Sequence, residues 1–218
     1  TELYRHVGPT IDVPAGDIGV GGREIGYMFG QYKKLTGSHD GVLTGKGLTF
    51  GGSLARTEAT GFGTVYFAEN MMQARGDSLE GKVCTVSGSG NVAIYAVAKL
   101  QDLGAKVVTV SDSRGMIYHE KGINVSALKK VKEEERASLT RYLELNPDAK
   151  YIPVSEYPKN RNAVWSIPCH AAFPCATQNE LNAEDAKELL KNGCICVSES
   201  SNMPSTLEAM DILLAAKI

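Results

Sequence analysis

Residues 79–113, LEGKVCTVSGSGNVAIYAVAKLQDLGAKVVTVSDS, leave few folds open to the chain. A short apolar, β-branched run at 83–86 is bounded by Gly81 and Gly88, and an interrupted turn follows, Gly88-Ser89-Gly90-Asn91-Val92-Ala93. A helical pattern then sets Val92, Ala96, Val97 and Leu100 on one face, Gly104 closes it, and a second buried strand is expected at 107–110. Strand, glycine turn, helix and strand at this spacing form the unit that seats a dinucleotide pyrophosphate on a helix N-terminus. Gly88 permits the tight turn, Gly90 lets the backbone approach phosphate, and small Ala93 lets the helix lie close to the strand. Amides of the turn, from Ser89 and Asn91 onward, then face the anion with the helix dipole behind them. The competing reading is a glycine turn that serves only helix–sheet packing.

Composition narrows the partners. Across 218 residues the net charge is -2, which gives no electrostatic reason to expect nucleic acid or an anionic membrane. No apolar run reaches the roughly 20 residues of a membrane span. The five cysteines are odd in number and lie mostly in apolar runs, so reduced buried thiols are expected rather than a disulfide framework. Cys194 and Cys196 alternate as on one face of a strand, and no further ligands at zinc spacing accompany them, so no metal is expected. Thr1 opens in mid-pattern and Ile218 stops within a helical pattern, which reads as a piece cut from a longer chain.

The first fifty-odd residues are glycine-rich. TIDVPAGDIGVGG at 10–22 must be a loop with unusual backbone angles. Ile25, Met28, Phe29, Tyr32 and Leu35 then mark an amphipathic helix that Gly37 ends, and a second glycine-dense loop occupies 41–52. Helix resumes over 59–75 with Val65, Ala68, Met71 and Met72 as its stripe, and a domain boundary is expected near Ala55, dividing the chain into 1–54 and 55–218. Past the glycine turn, 124–145 reads as one long amphipathic helix, apolar at Leu128, Val131, Leu139 and Tyr142. Short strands are expected at 151–154, within 164–173 on one side of Pro168, and at 195–199. Asn182 caps a helix through Lys191, and Pro204 stands at the first turn of a last helix. The alternation implies an α/β fold, a doubly wound, Rossmann-like parallel sheet with right-handed crossovers. Ligand lies outside the carboxyl ends of such strands, which selects 88–91, 111–114, 174–179 and 200–202.

Five segments in order, PAGDIGVGGREIGYMFGQYKKL, LTGKGLTFGGSLARTEATGFG, SGSGNVA, FPCATQNEL and SNMPSTLEA, resemble the hexameric glutamate dehydrogenases, closest to the NADP-using microbial and protist type. The likeness runs along essentially the whole chain, while family members are considerably longer. It implies that 1–54 is the C-terminal part of a substrate-binding domain and that 55–218 is an incomplete dinucleotide-binding domain. The family's substrate lysines would lie upstream of Thr1.

The resemblance also implies an activity, the oxidation of L-glutamate to 2-oxoglutarate and ammonium and its reversal, in a cytoplasmic homohexamer. Asp17 matches the family's proton shuttle at the α-nitrogen, although an Asp between Pro and Gly residues is by itself a turn former. A carboxylate doing this work near neutrality needs partial burial. Gly16 matches the backbone contact to the substrate α-carboxylate. Thr60 and Asn91 match contacts to the nicotinamide side of the cofactor, and Asn202 matches a nicotinamide-ribose contact. For the adenosine side, Ser111-Asp112-Ser113-Arg114 resembles NADP-using members. An acid at this strand end normally favours NAD, but here it follows a serine, and Arg114 stands near enough to offset its charge. NADP is therefore expected over NAD. Arg136 either reaches the 2′-phosphate, as a basic residue of the next helix does in the family, or is a helix-surface charge.

Three positions depart from the family. His170 replaces an Asp and reads as a satisfied structural histidine, Thr57 replaces a Pro, and Ser200-Ser201 replace Gly-Ala. The side chain of Ser200 calls into question how closely backbone approaches the nicotinamide ribose there. Two other functions remain open: an amino-acid dehydrogenase of the same superfamily with an apolar substrate, and a nucleotide-binding protein without catalysis.

Overall fold

The computed structural model describes residues 1–54 and 57–218, in two compact units, Thr1–Thr57 and Glu58–Ile218. The boundary expected at Ala55 lies outside the described residues.

The first unit is built on α1 (Gly22–Thr36), which starts with Glu24 accepting the Gly21 amide at 2.9 Å and ends at Gly37, whose φ of 71° is left-handed. Of the expected stripe, Ile25, Phe29 and Tyr32 are buried and pack with Val42 and Leu43, while Met28 and Leu35 stay exposed. The Lys46 ammonium donates to the carbonyls of Val42 and Leu43, which fixes the second glycine-dense loop.

In the second unit α2 (Ala59–Ala74) is followed by β1 (Val83–Val86), α3 (Asn91–Asp102), β2 (Lys106–Val107), β3 (Thr109–Asp112) and β4 (Gly115–Tyr118). Then come α4 (Val125–Lys129), α5 (Arg141–Leu145), β5 (Lys150–Pro153), β6 (Ala171–Phe173), α6 (Ala183–Lys191), β7 (Cys196–Val197) and α7 (Leu207–Ala215). Four strands make the parallel sheet, in order β2-β1-β6-β7. Residues of α2 and α3 (Val65, Ala68, Met72, Ala93, Ala96, Val97, Leu100) pack against its Val86, Val107 and Phe173. A second cluster gathers around Trp165 with Leu181, Leu189 and Leu213. The two helices touch closely because position 61 is glycine: a Cβ there would lie 2.6 Å from the Val92 oxygen and from the Ala96 nitrogen.

Four expectations need correction. The single strand at 107–110 is two, and its second half leaves for an antiparallel sheet, β3-β4-β5, with Val110 opposite Ile117 and Met116 opposite Ile152. Backbone pairing to β1 runs through Val108, whose N–H donates to Cys84, and there side chains take over. The Thr109 hydroxyl accepts from the Val86 amide at 3.0 Å and donates to the Val86 carbonyl at 3.1 Å, freeing the β3 backbone for β4. The second correction is the long helix at 124–145, which is broken. A π-helical turn at Lys130–Glu134 widens α4, and Arg136 at φ 53° ends the run. Leu128, Val131, Leu139 and Tyr142 are nonetheless all buried, so the apolar pattern reports burial rather than continuity. Third, the expected strand at 151–154 is β5 and belongs to the antiparallel sheet. Fourth, α7 begins at Leu207, with Thr206 rather than Pro204 at its start and the Thr206 side chain accepting from the Ala209 amide.

Other expectations hold. Of the two halves around Pro168, the later one pairs, as β6. Asn182 caps α6 by accepting from Glu184 and Asp185, and Asp185 in turn accepts the Asn182 amide. All five cysteines are free and buried. His170 accepts the Val83 amide through Nδ1 at 2.9 Å, a structural role.

Candidate functional site

The glycine turn leaves β1, an inner strand of the sheet, and two of its residues show opposite requirements. Gly88 has φ 82°, and a Cβ on it would meet the Cys175 carbonyl oxygen at 2.9 Å and the Ala93 methyl at 3.3 Å, so nothing larger fits. Gly90 is exposed, extends the backbone at the start of α3, and has no heavy atom within 4 Å of where a Cβ would lie. The first helical bond runs from Ile94 to Gly90, so the amides of Val92 and Ala93 point out of the helix tip beside that open face. Ser89 is buried between the two glycines, and Asn91, the first helical residue, is exposed.

On the β2 side, Ser111 is tied to this turn. Its hydroxyl accepts the Gly88 amide at 2.9 Å and its own amide donates to the Gly88 carbonyl at 3.0 Å. Ser111 is only 6% exposed, so the residue acts as a fastener of the turn as well as a strand end. Asp112, opposite Gly115 in the β3–β4 hairpin, accepts the Arg114 amide through Oδ1 at 2.8 Å. The carboxylate therefore closes the hairpin, while the Arg114 side chain stands exposed at its tip. Arg136, exposed beyond the π turn, makes no hydrogen bond or ion pair among the described residues.

On the β6 side the sequence reading left three fasteners without a role. Ser87 ends β1 and accepts the Cys175 amide through Oγ at 2.9 Å. Glu180 accepts the amides of Ala176 and Thr177 through one oxygen, at 2.9 and 3.2 Å. Burial pushes the Glu180 carboxyl up, and hydrogen bonds from Ser87 and from those two amides hold it down. Ser200, past β7, turns its hydroxyl to Thr64 of α2 at 2.6 Å and donates its amide to the Pro174 carbonyl. Its side chain thus serves as an anchor to the helix. Of these only Ser87 carried a signal in the sequence, a hydroxyl directly after an apolar run, where a ladder must end with its amides satisfied.

Thr60 sits exposed in the first turn of α2, next to Gly61 and so beside the first turns of α3. Asn202 is exposed in the loop after β7 and has no hydrogen-bond partner among the described residues. In the first unit Gly16 stands where a Cβ would meet the Val20 carbonyl oxygen at 2.6 Å, and the Asp17 carbonyl accepts the Val20 amide at 2.8 Å. The pair therefore forms a tight turn with the Asp17 side chain exposed, so the burial asked of a proton shuttle is absent at this position of the chain.

Comparison with known proteins agrees with this geometry. The family profile described as Glutamate/Leucine/Phenylalanine/Valine dehydrogenase matches residues 51–218, and that of the family's dimerisation domain matches 1–34. An NADP-specific glutamate dehydrogenase of Helicobacter pylori strain J99 is 63% identical over all of the chain, which spans 48% of that protein. An NAD-specific glutamate dehydrogenase of Bacteroides fragilis is 51% identical over 99% of the chain and 48% of its own length. Among solved structures, the crystal structure of Plasmodium falciparum glutamate dehydrogenase superposes with a TM-score of 0.89 at 49% identity, covering 100% of this chain and 46% of that one. The chain thus spans about half the length of the relatives it matches. With a family profile covering most of its residues, the chain belongs to the Glu/Leu/Phe/Val dehydrogenase family.

Proposed function

We propose that this chain is part of an NADP-dependent glutamate dehydrogenase, which oxidises L-glutamate to 2-oxoglutarate and ammonium and runs the reverse reductive amination. The observation that carries the reading is the glycine turn, obligatory at Gly88 and open over Gly90 with the α3 amides pointing outward. Those residues fit a dinucleotide pyrophosphate. When bound, NADP supplies the hydride acceptor.

The chain's own residues supply binding, orientation and proton handling. Amides at the α3 tip hold the pyrophosphate, and Thr60, Asn91 and Asn202 orient the nicotinamide side. The Gly16 backbone meets the substrate α-carboxylate, and Asp17 moves the proton at the α-nitrogen, a step for which a placed acid/base contributes about 10²–10⁴-fold. Asp17 is exposed in this chain, so the desolvation it needs comes from groups outside the chain, bound substrate among them. NADP is favoured over NAD because Asp112 spends an oxygen on the Arg114 amide and leaves that cation at the hairpin tip for a 2′-phosphate, with Ser111 and Arg136 as further contacts. Relatives named NADP-specific, NAD-specific and NAD(P)-specific make this the finer part of the proposal. A homohexamer is supported by the dimerisation-domain match and by the similar hetero-hexameric glutamate dehydrogenase of Thermus thermophilus. Cytoplasmic location rests on the resemblance alone.

The test is titration of the chain with NADP and NAD, followed by turnover with glutamate in one direction and with 2-oxoglutarate and ammonium in the other. Both are run on the chain and on a protein of the relatives' full length that contains it. The expected result is tighter binding of NADP and glutamate turnover in the longer protein. Turnover of an apolar amino acid in place of glutamate would overturn the substrate assignment. Binding with no turnover in either protein would leave a nucleotide-binding protein without catalysis.

A further inference from the structure

Strand order divides the ligand end of the sheet into two halves. With β1 inside the order β2-β1-β6-β7, the pyrophosphate at the α3 tip sits over the middle. The β2 side carries the Ser111–Arg114 corner, where a ribose is read. The other half of the dinucleotide must then lie over the loops after β6 and β7. What holds the β6 loop is therefore what shapes the nicotinamide half.

That loop, residues 174–179, contains no regular element, and three of its amides are taken up by two side chains. Ser87 Oγ takes the Cys175 amide, and one Glu180 oxygen takes the next two, Ala176 and Thr177. Glu180 is itself anchored from below, its carbonyl accepting Trp165 Nε1 at 3.1 Å and the following Leu181 amide donating to the Pro204 carbonyl at 3.0 Å. The carboxylate is thus a clasp with its hinge at the Trp165 core and its tip at the loop.

We propose that Glu180 is a positioning residue for the nicotinamide half of the cofactor, holding the 174–179 loop in register with the glycine turn. The proposal rests on the dinucleotide reading given above. Glu180 touches no reacting atom in this account. Its effect passes through the backbone at 175–177 to the exposed side chains of Thr177, Gln178 and Asn179. Asn179, at φ 53° and with its amide donated to Met203, needs that register to keep its left-handed conformation.

The experiment compares Glu180→Ala and Glu180→Gln with the unaltered chain, using two ligands and one ligand-free readout. The ligands are 2′,5′-ADP, which lacks the nicotinamide half, and NADP. In Glu180→Ala, NADP affinity should fall about tenfold, the equivalent of losing one buried acceptor, while 2′,5′-ADP affinity changes less than about twofold. Glu180→Gln keeps an oxygen that can accept both amides, so it should recover most of the NADP affinity. Without ligand, hydrogen exchange at the amides of Ala176 and Thr177 should quicken in Glu180→Ala and stay slow in Glu180→Gln, with α6 unchanged in both. An equal loss of both ligands in Glu180→Ala, or no loss of either, overturns the inference while leaving the dinucleotide reading intact. An unaltered chain that binds neither ligand overturns that reading and the inference with it.

Discussion

The two ends of the parallel sheet are finished with different chemistry. At the carboxyl ends of the strands, hydroxyls and a carboxylate grip backbone: Ser87 the Cys175 amide, Ser111 the Gly88 amide, Ser198 the Thr64 carbonyl, and Glu180 the amides of 176 and 177. Toward the amino ends His170 Nδ1 takes the Val83 amide, and the buried cluster is one of sulfur. Cys84, Cys169, Cys194 and Cys196 lie buried within reach of one another, and Cys169 accepts from the Thr85 hydroxyl at 3.4 Å. The contrast follows from what each end must hold. Loops that meet a ligand cannot rely on regular ladders, so their amides need side-chain acceptors. At the far end the thiols meet core, where each packs as a small hydrophobe.

The largest expected effect lies in those thiols. Burial pushes Cys84 up, and Cys196 to about 11. The neighbouring Cys194 thiol and the Thr85 hydroxyl hold Cys169 below the usual thiol range, and Cys194 is pushed up by its neighbour Cys169 and by burial. Even the lowered member is sealed from solvent, at 4% exposure. Alkylation of all five cysteines in the folded chain should therefore run through unfolding, about a thousandfold or more slower than in urea. Mass spectrometry of iodoacetamide-treated protein reads this. Rapid labelling of Cys169 in the native chain would break the comparison by making the far end a reactive one.

Next in size is the pair of glycines at the ligand end. Gly88→Ala places a Cβ against the Cys175 carbonyl at a positive φ, and should cost about 3 kcal/mol in urea unfolding. Gly90→Ala meets open space, so stability should change by less than about 1 kcal/mol while NADP affinity falls. If both variants are equally destabilised, the open face over Gly90 is not the ligand's.

These same residues show what sequence could and could not reveal. The glycine spacing exposed β1, the turn and α3 because a sharp reversal permits only glycine and the helix after it has a full apolar face. The strand at β4 escaped: GMIY is four residues long with three of them buried on both sides, so no alternation announces it. Thr109 reads as an ordinary β-branched strand residue, yet its hydroxyl is what lets the chain change sheets. The break after Lys129 was invisible because a π turn keeps apolar residues on the buried side while adding a residue to the turn. Ser87 and Glu180 were missed for a related reason. Their roles depend on which loop amides come near them, and that is decided by the pairing of β1 with β6, whose partners stand 87 residues apart in sequence.

Hydroxyl fastening can be measured directly. Thr109→Val keeps the shape and strands both the amide and the carbonyl of Val86, which should cost about 2 kcal/mol. Ser111→Ala strands one amide, that of Gly88, and should cost about 1 kcal/mol. Thr85→Val at the far end gives up only a long contact to sulfur, and should cost less than either. Chemical denaturation of the three variants gives the ranking, and a reversed order would remove the distinction between the two ends.

The smallest effect is one of pH. Near the ligand end, just after the Glu180 loop, Asp185 is buried at the start of α6, and burial raises its carboxyl to about 6 against the amides of Asn182 and Asn162. Glu180 is raised for the same first cause. Elsewhere in the unit, Asp148 beside Lys121 is instead held down to about 2. A carboxyl raised on folding binds its proton more tightly in the native state, so its contribution to stability is present at low pH and is lost as pH rises through the folded value. For Asp185 that window runs from about pH 4 to about pH 6. Asp148 acts in the other sense and lower down, its contribution present above about pH 4 and lost as pH falls toward 2. Between pH 4 and 6 the unaltered chain should therefore lose stability relative to Asp185→Asn, by less than the single-proton ceiling of about 1.4 kcal/mol per pH unit. Parallel stability curves for the two proteins over that window would mean that Asp185 titrates like a surface acid, and that its two amide bonds offset the burial completely.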